Sequence, residues 1–88
     1  MKIQQNDDGE NGKFFIEQEG KTVAELVYSW RGKDAIIIEH TGVDDILKGK
    51  GAGKELVVKT MQFAQEKNLE IVPLCTFAKS VIDKIKKQ

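Results

Sequence analysis

Hydrophobic and polar residues alternate along the first half of the chain in the pattern of β-strands. Residues 23–30 place apolar side chains at every second position, the period of a sheet with one well-buried side. Residues 35–38 are apolar and mostly β-branched at successive positions, which predicts a central strand covered on both faces. A strand at residues 13–17 precedes them, and Gly20 and residues 31–34 supply the turns. The first half therefore predicts three antiparallel strands.

The pattern changes to helical spacing in the second half. Apolar residues recur at the helical period over residues 53–67, and Asn68 follows as a residue that tolerates the left-handed conformation at a helix end. A short apolar strand at residues 69–74 comes next, and because it is entered from a helix we expect it to run parallel to the third strand. A second helix at residues 76–87 completes an α/β chain.

Composition indicates one globular domain. With 88 residues, of which 40% are hydrophobic and 32% charged, the chain is too short for two cores and too apolar for disorder. We therefore assign residues 1–88 to a single domain, in which residues 1–12 form a loose N-terminal strand and loop. No apolar run is long enough to span a bilayer and the N-terminus lacks an apolar signal segment, so we expect a cytoplasmic protein without a membrane partner.

Charge and ligand-forming residues narrow the choice of partners. Lys and Arg (14) balance Asp and Glu (14), which argues against a dedicated nucleic-acid binder. The charges are segregated, however: residues 1–47 sum to −5 (five basic, ten acidic) and residues 48–88 to +5 (nine basic, four acidic). A positive second half suits either a small anionic ligand or an ordinary solvated surface. One cysteine and one histidine provide no set of metal ligands, so no metal is expected.

A glycine-rich segment opens the predicted long helix. Its residues are Lys48, Gly49, Lys50, Gly51, Ala52, Gly53 and Lys54. Backbone amides of such a segment can converge on a ligand, and the dipole and free amides of a helix N-terminus favour an anion, above all a phosphate. The spacing fits neither the P-loop nor the dinucleotide-binding motif, so neither nucleotide fold is supported. A glycine-rich turn that merely starts a helix is the alternative interpretation.

Three segments of the chain resemble a known family. Lys48, Gly51 and Gly53 occupy the defined positions of the Gln/Arg-x-x-Gly-x-Gly/Ala motif of the GNAT superfamily of acetyl-CoA-dependent N-acetyltransferases. The resemblance is closer to a short, free-standing GNAT-like family that carries an Ile-x-His-Thr-x-Val strand before the glycines and a Pro-Leu-Cys-x-Phe-like segment after the helix. Residues 38–43 and 73–77 match these patterns. Two features depart from longer members: Lys48 replaces Gln or Arg, and the two helices that help wall the acceptor site are missing.

The resemblance implies a fold and a binding mode for acetyl-CoA. The fold is a minimal GNAT-like mixed sheet of antiparallel strands followed by a splayed parallel pair, with two helices. Amides of the glycine loop would hold the pyrophosphate, and backbone groups near the end of the third strand would pair with the pantetheine arm where the parallel strands splay apart. The implied cofactor-binding residues are Thr41, Gly42, Val43, Lys48, Gly49, Lys50, Gly51, Ala52, Gly53 and Lys54.

Cys75 and His40 are the candidate catalytic residues. Cys75 follows the fourth strand, where the resemblance places the thioester, so it either accepts the acetyl group or lines the cleft as an inert thiol. His40 shares a strand face with Ile36 and Ile38, which favours a hydrogen-bonded core residue, although an imidazole can also remove a proton from an ammonium acceptor. The tyrosine acid of many GNAT enzymes has no counterpart near Cys75, because the single tyrosine, Tyr28, lies far upstream.

Two functions from different classes follow from these features. The first is an acetyl-CoA-binding N-acetyltransferase that transfers the acetyl group to an amine acceptor, for example a peptide or protein lysine. The second is a non-catalytic CoA-binding or partner-binding module that keeps the GNAT-like fold without an acceptor site. Transfer of acetyl to an added amine distinguishes the two.

Overall fold

A five-stranded mixed sheet forms the centre of the computed structural model, which describes residues 2–87. The strands are β1 (Gln4–Asp7), β2 (Asn11–Gln18), β3 (Lys21–Arg31), β4 (Ala35–Val43) and β5 (Glu70–Pro73), and they lie in the sheet in chain order. β1 to β4 are antiparallel, and β5 is parallel to β4. A 3-10 helix (Asp45–Leu47) and the helices α1 (Ala52–Lys67) and α2 (Thr76–Lys86) complete the fold. The predicted α/β architecture is confirmed.

Both helices pack on the same side of the sheet, which we call the helix face. The rings of Phe14, Tyr28 and Trp30 surround Phe63 of α1, with centroid distances of 5.6, 5.9 and 6.1 Å. Ile82 of α2 joins the same buried cluster. Full burial of a large apolar side chain stabilises a fold by about 1.5–3 kcal/mol, so this single cluster holds the helices to the sheet.

The opposite side of the sheet, which we call the open face, carries no helix in the described part of the chain. Its side chains include Phe15, Glu25, Val27, Ile37 and His40, as the strand pairing places them. The prediction that the strand from residue 35 is covered on both faces is therefore wrong for one face: Ile37 is partly exposed. The apolar run reflects the high strand propensity of isoleucine as well as burial.

The N-terminal segment, expected to be loose, is tied to the sheet. β1 pairs with β2, and the Asp7 carboxylate accepts hydrogen bonds from the Tyr28 hydroxyl at 2.5 Å and from the Trp30 indole N–H at 2.9 Å. The Tyr28 ring lies across Gly12, where a Cβ would overlap it. These contacts are long-range, so the polar, turn-rich composition of the segment could not indicate them.

Candidate functional site

β4 and β5 separate at the carboxyl end of β5. The last paired residues are Ile38 and Pro73, whereas β4 continues to Val43. The amides of Leu74 and Cys75 both donate to the Ile38 carbonyl, at 3.0 and 3.2 Å, and this forms the junction of the two strands. Beyond that point β4 pairs only with β3 among the described strands. The predicted splay is confirmed, and we call the space between the end of β4 and the start of α2 the gap.

One edge of β4 presents free backbone groups to the gap. The Asp44 amide donates to the Val23 carbonyl of β3 at 2.8 Å. Because successive residues of a strand direct their backbone groups to opposite edges, Gly42 also faces β3, and the amide and carbonyl groups of Thr41 and Val43 face the gap. The backbone groups of Thr41 and Val43 are therefore free at the gap, whereas those of Gly42 face β3; pairing with pantetheine stays a prediction.

A β-bulge in β4 decides which face its last residues occupy. β3 pairs Tyr28 with Ile38 and the adjacent Val27 with His40, so Glu39 is an extra residue without a partner. Side chains alternate between faces, and one extra residue reverses the alternation. Thr41, opposite the buried Leu26, consequently returns to the helix face.

The bulge overturns the predicted position of His40. His40 lies on the open face, opposite the face of Ile36 and Ile38, and it is exposed rather than part of a hydrogen-bonded core. Its Nε2 atom lies 3.0 Å from the position that a Cβ on Gly42 would take, so the imidazole lies over Gly42. The absence of a side chain at Gly42 makes room for this ring.

The glycine loop presents amides next to the gap. Gly49 and Gly51 have φ angles of 78° and 75°, in the left-handed region that favours glycine. Gly51 is the N-cap of α1 and supplies no capping side chain. Within residues 2–87, the amides of Gly49 and Gly51 donate to no backbone carbonyl, and the first amides of α1 lack an intrahelical partner. This arrangement suits an anion such as a phosphate.

Gly53 has a different role from the other two glycines. A Cβ on Gly53 would lie 2.8 Å from Cζ of Phe77 in α2, so the residue is small because the two helices meet there. Ala52 is 2% exposed, and its methyl group is part of the core. Ala52 and Gly53 can therefore contribute to an anion site through their backbone amides alone. The side chain of Lys54, in contrast, is exposed.

The lysines of the loop lie at the surface. The Lys48 ammonium, at the first motif position, lies 3.2 Å from the Asp45 carboxylate, and both side chains are largely exposed. Such a surface pair contributes at most about 1 kcal/mol, so an incoming phosphate can compete for Lys48. Lys50 is also exposed and adds positive charge beside the amides.

Cys75 lies at the N-cap position of α2, beside the gap. Its thiol donates a long hydrogen bond to the Thr41 hydroxyl, with 3.6 Å between Sγ and Oγ1. Partial burial raises the pKa of the thiol. Hydrogen bonds with the backbone amides of Ala78 and Phe77 and with the Thr41 side chain lower it by more, so the pKa lies below its ordinary value. Cys75 is thus a thiol with increased thiolate character at a helix N-terminus.

The two candidate catalytic residues do not form a pair. Cys75 contacts Thr41 on the helix face of β4, whereas His40 lies on the open face. His40 therefore cannot deprotonate the Cys75 thiol directly. The two side chains are instead on opposite sides of the sheet next to the gap.

Two apolar residues beside Cys75 were not recognised in the sequence as part of the site. Leu74 is 64% exposed and Phe77 is 45% exposed. Both flank Cys75 and provide apolar surface near the gap. The signal available in the sequence was the run of apolar residues around Cys75 directly after a strand.

Tyr28 cannot supply a proton at the gap. It is fully buried, its hydroxyl donates to Asp7 and accepts a bond from the Gln5 amide, and burial together with the Asp7 bond raises its pKa. Because it is the single tyrosine of the chain, no phenol serves as an acid near Cys75.

The chain belongs to the family described as GCN5-related N-acetyl-transferase, whose sequence profile matches residues 13–88. This range includes the gap, the glycine loop and Cys75. The chain is also similar to protein NATD1 of Xenopus tropicalis, with 30% identity over 59 residues that cover 67% of this chain and 54% of NATD1. The chain thus spans about half the length of that relative.

Two solved structures share the fold. The solution structure of a GCN5-like N-acetyltransferase candidate from Staphylococcus aureus is 37% identical, with a TM-score of 0.75 and coverage of 98% of this chain and 81% of that chain. An aminoglycoside N-acetyltransferase solved with CoA is 14% identical, with a TM-score of 0.67 and coverage of 98% and 87%. The latter likeness concerns the fold alone. Together these matches confirm the GNAT-like family and fold predicted from the sequence.

The described residues include neither a membrane-spanning helix nor a cluster of metal-ligating side chains. No helix within residues 2–87 is long and apolar enough to cross a membrane. No group of three or more His, Cys, Asp or Glu side chains in the same range is arranged to hold a metal ion.

Proposed function

We propose that the chain binds acetyl-CoA and transfers the acetyl group to an amine. The observation that carries the proposal is the continuity of the site: the loop amides, the free edge of β4 and the Cys75 thiol follow one another along the gap. The fold neighbour solved with CoA supports the choice of cosubstrate. The acceptor is an amine, for example a peptide or protein lysine.

Binding uses two backbone surfaces. The amide of Gly49 and the amides from Gly51 to Lys54 hold the pyrophosphate, whereas the Lys50 amide already donates to the Leu47 carbonyl. The positive charges of Lys48 and Lys50 lie beside the loop. The pantetheine arm pairs with the free groups of Thr41 and Val43 as an added strand would. A hydrogen bond to a charged phosphate oxygen contributes about 1.5–3 kcal/mol, so the loop provides the larger part of the specificity for a pyrophosphate.

The acetyl group passes through Cys75 in the proposed route. The thiolate attacks the thioester carbonyl, a bond forms between Sγ and the acetyl carbon, and CoA leaves as its thiolate. A neutral amine then attacks the acetylated cysteine, the new C–N bond forms, and the Cys75 thiolate is expelled while the amine loses its proton to a base or to water. Acetyl-CoA supplies the activated acyl group, and no redox step is involved.

Two alternatives remain distinct from this route. In direct transfer the amine attacks acetyl-CoA itself, His40 or water takes its proton, and Cys75 only lines the gap. In the non-catalytic alternative, a CoA-binding or partner-binding module, acetyl-CoA binds and no amine is acetylated. The lack of a phenol near Cys75 favours the cysteine route over direct transfer with a tyrosine acid.

Intact-protein mass spectrometry after incubation with acetyl-CoA tests the proposal. We expect one acetyl group on the wild-type chain, located on Cys75 by peptide mapping, and its loss when an amine is added. Cys75→Ser should bind acetyl-CoA with unchanged affinity and lose turnover. An active Cys75→Ser chain would exclude the cysteine route, and binding without any transfer would leave the non-catalytic module.

A further inference from the structure

We infer that the open face of the sheet, beside the end of β4, selects an acceptor amine that lies in a basic peptide segment. The inference rests on the proposed function and adds the chemical class of the acceptor. It is carried by the excess of carboxylates on the open face and by the bulge in β4.

Both helices border the gap on the helix face. α1 and α2 share one buried cluster there, and Phe77 of α2 lies directly against Gly53 of α1 next to the loop. Cys75 and Thr41 face this side, so the acetyl group is enclosed by the helices on one side. On the other side the described chain places no helix over the end of β4. A macromolecular acceptor therefore reaches the gap through the open face.

The bulge places polar groups where such an acceptor would arrive. Glu39, the extra residue, is exposed, and its carboxylate accepts a hydrogen bond from the Ser29 hydroxyl at 2.8 Å. His40 follows it on the open face and lies over Gly42. Glu25 pairs with Gly42 across β3 and β4, so its carboxylate is on the same side. The carboxylates of Glu25 and Glu39 therefore share the open face with the imidazole.

A shallow cavity extends this polar surface. It has a volume of about 270 Å³ and is lined by Glu25, Gly42 and Asp44 together with residues 22–24. Both charged residues of its lining are acidic. A cationic side chain adjacent to the acetylated amine can therefore be accommodated beside the end of β4.

The open face as a whole has an excess of negative charge. Its charged strand side chains, placed by the pairing and by the bond of Gln4 to Glu17, are Lys13, Glu17, Glu25, Arg31, Glu39 and Glu70. Four carboxylates therefore oppose two cations. A second copy of the chain would bring two negative surfaces together, whereas a basic segment is complementary to this face.

The steady-state test uses three acceptor peptides of equal length with one acetylatable lysine, flanked by arginine, serine or glutamate. We expect kcat/KM to fall in that order, mainly through KM, and the advantage of the arginine peptide to shrink with added salt. Glu25→Gln and Glu39→Gln should each lower kcat/KM for the arginine peptide by up to about 5-fold, the effect of one surface charge pair. Glu66→Gln, an exposed carboxylate on α1, is the matched control.

A second measurement locates the peptide without requiring turnover. An arginine-flanked peptide with a nitroxide label should broaden the methyl signals of Val27 and Ile37 on the open face and spare Val58 and Val81 on the helices. Broadening of the helix methyls, or none while acetyl-CoA binds, would overturn the inference. Equal rates for the three peptides would also overturn the inference, but the transferase function would stand. A chain that fails to bind acetyl-CoA refutes the proposed function instead.

Discussion

Substitution of Gly51 by asparagine separates the proposed pyrophosphate site from the folding of the loop. Gly51 has a φ angle of 75°, a conformation that asparagine adopts more readily than most other residues. A Cβ at this position has no neighbouring atom within 4 Å, so the new side chain would extend into open space beside the loop. We expect Gly51→Asn to fold, with the free energy of unfolding lowered by about 1 kcal/mol for the left-handed conformation.

The expected effect on acetyl-CoA binding is much larger than the effect on folding. The asparagine side chain would occupy the space in which a pyrophosphate approaches the amides of the loop. Loss of two charge-assisted hydrogen bonds costs about 3–6 kcal/mol. Because about 1.4 kcal/mol corresponds to a 10-fold change in Kd, Gly51→Asn should bind acetyl-CoA at least about 100-fold more weakly than wild type.

Calorimetric titration with acetyl-CoA measures this difference, and Gly32→Asn is the matched control. Gly32 lies in the turn between β3 and β4, has a φ angle of 62°, and also has open space around a Cβ. The control should lose similar stability and keep the wild-type Kd. A folded Gly51→Asn chain with a Kd within about 3-fold of wild type, less than 1 kcal/mol, would refute the assignment of the loop.

Three further predictions concern residues whose contacts are defined. Gly53→Ala should displace the exposed ring of Phe77 and change the free energy of unfolding in urea by less than about 1 kcal/mol, because alanine is the better helix former by about that amount. The ring signals of Phe77 should shift in NMR, and unchanged ring signals would contradict the close contact. The alkylation rate of Cys75 should rise with pH, with a midpoint below that of the urea-unfolded chain, and Thr41→Val should move this midpoint upward. The same midpoint in the folded and the unfolded chain would show that the fold does not lower the pKa of the Cys75 thiol. Asp7→Asn should lower the free energy of unfolding by about 1 kcal/mol at neutral pH, because it weakens the bonds to Tyr28 and Trp30. Burial raises the pKa of Asp7, but these bonds and one from a backbone amide outweigh it and lower the pKa below 3.8. The stability advantage of wild type over Asp7→Asn should therefore be present above pH 3.8 and disappear as pH falls through the depressed pKa. Unfolding followed by circular dichroism measures this difference, and a parallel loss of stability in wild type and Asp7→Asn would contradict it.

The order of strands and helices followed from periodicity because each element buries one regular stripe of apolar residues. The alternation over residues 23–30 and the helical spacing over residues 53–67 correspond to β3 and α1. The splay was expected from the resemblance of residues 38–43 and 73–77 to a family pattern, since periodicity carries no information about where two strands part. Its position after Ile38 depends on how Leu74 and Cys75 bond to β4.

The candidate site was predicted in its location and only partly in its detail. Counting alternate positions places His40 with Ile38, but the unpaired Glu39 reverses the count, and a bulge cannot be located from the pattern of one strand. Likewise, the three glycines of the loop look equivalent in the sequence. The structure distinguishes Gly51, which adopts a positive φ, from Gly53, which makes room for Phe77, because that contact joins residues far apart in the chain.

Titration of the isotope-labelled chain with acetyl-CoA, followed by amide signals in NMR, tests the central claim most directly. The account predicts that the largest shifts occur at the amides of Gly49 and Gly51 in the loop and of Thr41 and Val43 along the gap. The amide of Gly32, at the far end of the sheet, should remain unchanged. Saturable binding that shifts other residues and leaves the loop and the edge of β4 unaffected, or no binding at all, would contradict the account.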